Sequence, residues 1–291
     1  MKCFYHSTDL DGHCAGAIVK HKYPECEMIG MDYGEEFPWD SITEGEIVFM
    51  VDFSLQPHED MITLFNHCDL VWIDHHETAI NGVNAFEIAI AGIRDTKFAA
   101  CELTWQYLFP NQVMPRSVFL LGRYDVWDHK DMDVLPFQYG IKQRDTNPED
   151  DDRLWHILFD GNKMLPSYTL VMDIVSEGRT IQKYVNKQNE FLCGPLCYEF
   201  EFEGLRFIAA NACMPGSKLF DSVYDPDKHD AMMVYYNKNG KHWVVTMYST
   251  KGDVNVGDIA KKHGGGGHKG ASGFQCKETP FTLFDGNGTT N

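Results

Sequence analysis

Three short apolar runs in the amino-terminal half each end on acidic or imidazole side chains. Residues 2–5 lead into His6-Ser7-Thr8-Asp9-Leu10-Asp11-Gly12, Ile47–Val51 leads into Asp52, and Leu70-Val71-Trp72-Ile73 leads into Asp74-His75-His76. Runs this short, bounded by polar turns, have the length of buried strands, and helical spacing at 12–22 and 58–67 separates them. Strands alternating with helices imply βαβ units and a mainly parallel sheet. In an open parallel sheet ligands bind outside the carboxyl ends of the strands. The fold pattern therefore carries carboxylates and imidazoles to one rim, and a rim of that chemistry reads as a site for divalent cations.

Further elements follow the same logic. Residues 27–31 and 85–91 read as strands. Asp95 or Thr96 caps an expected helix over 97–109, and a second helix over 116–124 runs into Asp125-Val126-Trp127-Asp128. Residues 130–160 are polar, with an acidic run at 147–153 expected as solvated surface. Apolar residues recur at helical spacing over 168–192, which predicts a long helix ending before Gly194-Pro195. Beyond 196 the pattern turns to strands at 198–203, 205–210, 231–237 and 242–248, with hairpin turns at Glu203-Gly204 and Asn239-Gly240. A helix over 256–263 precedes Gly264-Gly265-Gly266-Gly267-His268-Lys269-Gly270, and the tail beyond 285 reads as frayed. The expectation is a two-domain α/β protein. A Rossmann-like parallel-sheet domain occupies 1–165, a helical connector 166–194, and a smaller mixed-sheet α/β domain 195–291.

Composition narrows the function. A formal net charge of -18 argues against a grip on long nucleic acid, whose affinity comes mainly from Lys and Arg neutralising phosphates. It is compatible with bound cations and with a short phosphorylated substrate. The nine cysteines are scattered and odd in number, and Cys193 and Cys197 are too far apart for a CxxC pair. They read as reduced thiols of a cytoplasmic protein. The chain opens directly on a strand without a basic-then-apolar leader, and no apolar run approaches the roughly 20 residues of a membrane span.

The donor set suggests two ions. Asp9 and Asp11 leave one turn with room to serve neighbouring ions, and Asp52, from the next strand end, has an oxygen for each. His75 or His76, with Asp125, completes the second shell; Asp128 is the rival to Asp125. Mixed oxygen and imidazole ligands suit Mn²⁺, Fe²⁺ or Co²⁺ better than Mg²⁺. Two ions roughly 3.5–4 Å apart activate a water between them and stabilise phosphoryl charge. The glycine run allows backbone N–H groups to approach phosphate oxygens closely, with His268 and Lys269 adding donors and charge. Arg94, just before the capped helix, is a further candidate for phosphate contact.

In this order, residues 6–12, Asp52, Asp74-His75-His76, Asp125 and the glycine run ending in His268 resemble the DHH phosphoesterase superfamily. The second half resembles its DHHA1-type substrate domain, so the resemblance spans nearly the whole chain. It is most similar to the small stand-alone members: oligoribonucleases (nanoRNases), nucleotide 3′-phosphatases and exopolyphosphatase-related proteins. The resemblance implies one metal on His6, Asp9 and Asp52 and a second on Asp11, Asp52, His75 and Asp125. Asp125 is preferred to Asp128 because the family's motif falls directly after the helix.

It also implies that His76 approaches the substrate phosphate or leaving group, with Asp74 orienting a histidine through its ring N–H. Asp52, Asp74 and His76 form the catalytic set, and Gly265, Gly266, Gly267, His268 and Lys269 clamp phosphate. The implied cofactors are two divalent ions, Mn²⁺ first, with Mg²⁺, Co²⁺ or Fe²⁺ as substitutes. The implied substrate is a very short oligoribonucleotide or a small phosphorylated nucleotide, hydrolysed by a water; long duplex nucleic acid and membranes are not expected partners. Alternatives are a pyrophosphatase or short-chain exopolyphosphatase, a cyclic-dinucleotide phosphodiesterase, and, in another class, a non-catalytic nucleotide sensor. A homodimer is expected because relatives often pair. Two departures stand out: the spacing of His6 from Asp9, and a segment Met247-Tyr248-Ser249-Thr250-Lys251 in which Lys251 stands in for the arginine many DHHA1 domains carry there.

Overall fold

Alternate residues of the amino-terminal strands enter two different cores, which is why those runs are apolar throughout rather than every second residue. Strands β1 (Lys2–His6), β2 (Glu27–Met31), β3 (Ile47–Val51) and β4 (Asp69–Ile73) form a parallel sheet in the order β2-β1-β3-β4. In the computed structural model, which describes residues 1–149, 153–160, 166–213 and 216–278, Phe4 pairs with Met50 and Met50 with Trp72. Cys3, Tyr5, Phe49, Val51 and Ile73 pack on one face, with buried residues of helices α1 (Leu10–Lys22), α4 (Ala100–Leu108), α5 (Arg116–Asp125), α6 (Val134–Ile141) and α7 (Arg153–Phe159). Phe4, Val48, Met50, Leu70 and Trp72 pack on the other, under α2 (Glu59–His67) and α3 (Glu77–Asn84).

The strand order places a topological switch between β1 and β3. From β1 the chain runs outward to β2 on one side, then returns to lay β3 and β4 on the other. The crevice beyond the carboxyl ends of β1 and β3 is where such a sheet accepts a ligand.

Helix α8 (Pro166–Leu196) closes this part of the chain. The chain divides into two compact units, Met1–Gln182 and Lys183–Asn291, and the boundary falls inside α8. In the second unit β5 (Cys197–Phe202), β6 (Leu205–Asn211), β7 (Ala231–Lys238), β8 (His242–Tyr248), β9 (Gly266–Gly267) and β10 (Ala271–Cys276) form a sheet in the order β5-β6-β7-β8-β10-β9. Only β6 and β7 pair in parallel, so the sheet is mixed. Both expected hairpin turns are present: Glu203, Gly204, Asn239 and Gly240 all have positive φ, the geometry two-residue turns require. Helix α9 (Val256–Lys262) covers a core that includes Phe207, Met233, Val245 and Phe274.

Several sequence expectations need correction. Residues 85–91 form no strand; Ala91 and Arg94 make isolated bridges to Val71 and Asp74, and Glu87 has a left-handed φ of 55° that interrupts extended backbone. The helix expected from 97 starts at Ala100, and ahead of it the Asp95 carboxylate accepts the Lys97 N–H in a turn of its own. The polar stretch 130–160 contains α6 and α7, whose Phe137, Ile141, Trp155 and Phe159 are core residues. Its acidic run is more than solvated surface: Tyr5 Oη donates to Asn147 Oδ1 at 2.6 Å and Glu149 Oε1 at 2.9 Å, tying the loop to β1. Residues 150–152 of that run and the tail beyond 285 lie outside the described residues. Helix α8 continues through Gly194-Pro195, where a proline in the final turn removes only a hydrogen bond that end fraying already weakens.

All nine cysteines are free thiols. Among the described residues no helix is long and apolar enough to cross a membrane.

Candidate metal centre

The turn after β1 brings two carboxylates back over the strand end. Asp9 is the N-cap of α1, extended at φ -136° and ψ 174°, and accepts the Gly12 N–H at 2.9 Å. A Cβ at Gly12 would lie 2.0 Å from the His6 carbonyl oxygen, so only glycine lets α1 start this close to β1. Asp11, in the first turn of the helix, is buried. Its two oxygens accept the Ala100 and Cys101 N–H groups at 2.8 and 2.9 Å, so it caps α4, the helix that Asp95 and Thr96 were expected to cap.

Asp52 follows β3 with φ 55°, a left-handed conformation uncommon outside glycine. It is 1% exposed, and neither carboxylate oxygen has a hydrogen-bond partner. Around it stand three imidazoles: His75 Nε2 at 3.3 Å, His6 Nδ1 at 3.6 Å and His76 Nδ1 at 3.8 Å. His6 Nδ1 also lies 2.9 Å from Asp9 Oδ2. His75 Nε2 lies 3.7 Å from Asp11 Oδ2 and 3.3 Å from Asp125 Oδ2. Three donor groups of metal-ligand size result, with ligand atoms within 4.8 Å of one another: His6-Asp9-Asp52, Asp11-His75-Asp125 and Asp52-His75-His76. Asp52 belongs to two of them.

The electrostatics follow from this crowding. Burial, then the charges of Asp11 and Asp9, push the Asp52 carboxyl up; burial and Asp11 do the same to Asp125. Burial opposes protonation of His6, yet its contacts with Asp52 and Asp9 outweigh it and push the imidazole up to about 11. His75 is raised against its burial by Asp11 and Asp125. Four acids converging on shared imidazoles in a buried crevice bring oxygen and nitrogen donors together. The residues present fit divalent metal ions.

Asp74 plays a different part. It is fully buried and lies outside the three donor groups; its Oδ1 accepts the His75 and His76 N–H groups and sits 2.8 Å from His76 Nδ1. Asp74 therefore sets the orientation of the His76 imidazole. Asp125, not Asp128, stands beside His75; Asp128 faces Arg123 at 3.7 Å and Lys130 at 3.5 Å.

The Arg94 guanidinium donates to the carbonyls of Trp72, Ala91 and Ile90, so it closes the edge of β4 rather than being displayed to an anion. Asp32, which the sequence reading missed, reaches 3.6 Å from His6 Nε2. It directly follows β2 and carries the same signal as Asp52, a carboxylate at a strand's carboxyl end.

The glycine run, in the second unit, is an edge strand with a tight turn rather than an open loop. Gly266 and Gly267 pair with Gly273 and Ser272, and the His268 N–H donates to the Ala271 carbonyl at 2.8 Å. A Cβ at Gly265 would lie 2.1 Å from the Gly273 carbonyl oxygen, so packing accounts for that glycine. Gly266 and Gly267 lie on an unpaired sheet edge, and Lys269 Nζ donates to the Gly252 carbonyl. Lys251, expected as a substitute charge, is paired with Asp230 at 2.8 Å.

Residues 218–283 match the DHHA1 domain. That stretch of the second unit is similar to the DHHA1 family. It is 26% identical over 248 residues to uncharacterized protein R106 of Acanthamoeba polyphaga mimivirus, a match covering 78% of this chain and 52% of that protein. The chain thus spans about half the length of the curated relative it matches. Among solved structures, an exopolyphosphatase-related protein from Bacteroides fragilis has the same fold, with a TM-score of 0.52 at 12% identity over 97% of this chain and 87% of that one. A pGpG-specific phosphodiesterase, PggH, from Vibrio cholerae aligns over 95% of this chain and 93% of its own at a TM-score of 0.44 and 13% identity.

Proposed function

We propose that the protein is a divalent-metal-dependent phosphoesterase that hydrolyses short oligoribonucleotides or small phosphorylated nucleotides. One observation carries this reading: Asp52 is buried and left-handed, with both oxygens lacking hydrogen bonds and three imidazoles within 3.8 Å. Such a residue is costly to the fold and is found where function demands it. His6, Asp9 and Asp52 hold one ion in this reading, and Asp11, Asp52, His75 and Asp125 the other. A pair of divalent ions held there supplies Lewis-acid polarisation of phosphoryl oxygens and lowers the pKa of water to near neutrality.

The chain's own residues do the rest. Asp74 holds His76 through Nδ1, so Nε2 is the nitrogen that meets the leaving oxygen and gives it a proton. The backbone N–H groups at α4's amino end hold both Asp11 oxygens in place. Gly265, Gly266, Gly267, His268 and Lys269 remain the proposed phosphate contacts of the second unit. The overall acidity favours short substrates over long ones.

The test is a parallel assay of the Mn²⁺-loaded protein against adenosine 3′,5′-bisphosphate, di- to pentaribonucleotides, cyclic dinucleotides, pyrophosphate and triphosphate, with Mg²⁺ and Co²⁺ controls. Turnover of the first two groups is expected. Dominant anhydride turnover replaces this reading with a pyrophosphatase or exopolyphosphatase. Nucleotide binding without turnover under any metal, surviving Asp52→Ala, makes the protein a sensor.

A further inference from the structure

The loop after Asp125 holds the strongest unassigned feature. Arg123, Trp127, Asp128, His129 and Lys130, completed by Lys97, line an open depression of ≈ 570 Å³ in the first unit. That volume lies within the roughly 300–1,000 Å³ of small-molecule sites. Its position follows from the chain path: Asp125, in the donor group with His75 and Asp11, precedes Trp127 by two residues, and the Trp127 N–H donates to the Tyr124 carbonyl at 3.1 Å.

Trp127 is unfavourable to the fold in two ways. Its side chain is 52% exposed, and its φ of 60° is an outlier for a bulky residue. The indole stacks on His129 with ring centroids 5.7 Å apart at 28°, and His129 stacks on Tyr124 at 5.4 Å and 23°. The result is a three-ring column with a tryptophan presented at the surface.

The charge lining the depression is opposite to that of the chain. Against a net charge of -18, Lys97, Arg123 and Lys130 face a single lining carboxylate, Asp128. Arg123 is engaged with the buried Glu102, and Lys130 lies 3.5 Å from Asp128. Lys97 makes no ion pair among the described residues. An aromatic platform beside cations has the chemistry that holds nucleotides, because every base has a π-face and the flanking phosphate needs a positive partner.

We propose that this depression is the subsite for the nucleoside adjoining the scissile phosphate. The base stacks on the Trp127-His129-Tyr124 column, and Lys97 and Lys130 receive a flanking phosphate. The inference rests on the phosphoesterase reading above and sharpens it: the substrate carries a base, which excludes polyphosphate.

The probes are 5′-phosphorylated diadenylate, an abasic dinucleotide of the same charge, and inorganic triphosphate, each titrated into the Mn²⁺-loaded full chain. Trp127→Ala should weaken diadenylate binding, or raise its KM, by about 10-fold or more, while kcat, metal content and abasic binding stay at wild-type values. Trp127→Phe should restore most of the affinity, and Trp127→Leu, which keeps bulk without a π-face, should not. Diadenylate should quench wild-type fluorescence more than that of Trp127→Phe.

If Trp127→Leu binds diadenylate like the wild type, or if abasic and triphosphate binding fall equally, the stacking subsite is wrong. These outcomes separate the two claims. Binding and quenching without hydrolysis sink the phosphoesterase reading and leave the subsite standing; hydrolysis indifferent to Trp127 does the reverse.

Discussion

Replacing Asp52 with asparagine should make the metal-free protein more stable while destroying its metal centre. Asp52 is buried at 1% exposure with no hydrogen bond to either oxygen. Leaving a buried polar group unsatisfied costs about 1–3 kcal/mol, and more for a charge. The three nearby imidazoles offset part of that cost, but burial and the charges of Asp11 and Asp9 prevail, since the net effect raises the Asp52 pKa. The environment therefore prefers a neutral group, and asparagine supplies one of the same shape that also tolerates a left-handed backbone.

The expected gain in chelator is about 1–3 kcal/mol. For a unit of this size that corresponds to a rise in Tm of roughly 2–12 °C. The sign of the pH dependence is fixed too. A carboxyl whose folded pKa is raised stays protonated in the native state where the unfolded chain has released its proton, so stability falls as pH climbs above the unfolded value near 4. The raised pKa values of Asp125, His6 and His75 act in the same direction. Wild-type protein in chelator should lose stability steadily from about pH 5 to pH 9, and Asp52→Asn should flatten that slope.

Thermal unfolding in chelator and in Mn²⁺ reads both effects. At a hundredfold excess over Kd, Mn²⁺ should stabilise the wild type by about 2.7 kcal/mol and leave the variant nearly unchanged. A variant that is less stable than wild type in chelator, or that keeps the full Mn²⁺ shift, would refute this account of Asp52.

Other consequences are simpler to state. Arg123→Met should destabilise the protein by about 3–5 kcal/mol in urea titrations, because it strands the buried Glu102 carboxylate; adding Glu102→Gln should recover much of the loss. Asp74→Asn should keep both ions by metal analysis but lower kcat about 10- to 100-fold, since the amide no longer fixes His76 as the carboxylate does. His268→Ala should raise KM with metal content unchanged. Asp230, paired with Arg206 and Lys251, is held well below the usual carboxylate range by those partners. A group so lowered stabilises the fold above its unfolded pKa, so Asp230→Asn should reduce the acid-induced loss of stability as pH falls below about 4.

The parts of the structure legible in the sequence are those where one residue's local chemistry decides the outcome. The apolar runs at 47–51 and 70–73 announced strands because both faces of the sheet are covered, and glycine after Glu203 and Asn239 announced turns that need positive φ. What stayed hidden depends on partners distant in sequence. Helix α4 begins at Ala100 because Asp11, on another helix, accepts its first N–H groups. No pattern near Ala100 records that.

Arg94 is the same case in reverse. Its place before a helix makes it a candidate phosphate contact, and only the path of residues 90–94 along β4 shows its donors meeting carbonyls. Asp32 was legible and overlooked, since it obeys the rule that found Asp52.

That rule explains why the centre shows so clearly in a single sequence. A parallel sheet delivers every strand's carboxyl end to one rim, so ligands far apart in the chain need no long-range code beyond strand order. Asp52 is the residue on which the order converges: β3 lies between β1 and β4, and the acid leaving it is therefore flanked by His6 from one neighbour and His75 from the other. Exchange of β3 with either neighbour would leave Asp52 beside only one of them. Its place between two imidazoles is thus a property of topology before it is a property of any side chain, and the left-handed φ at Asp52 is the local strain that topology sustains.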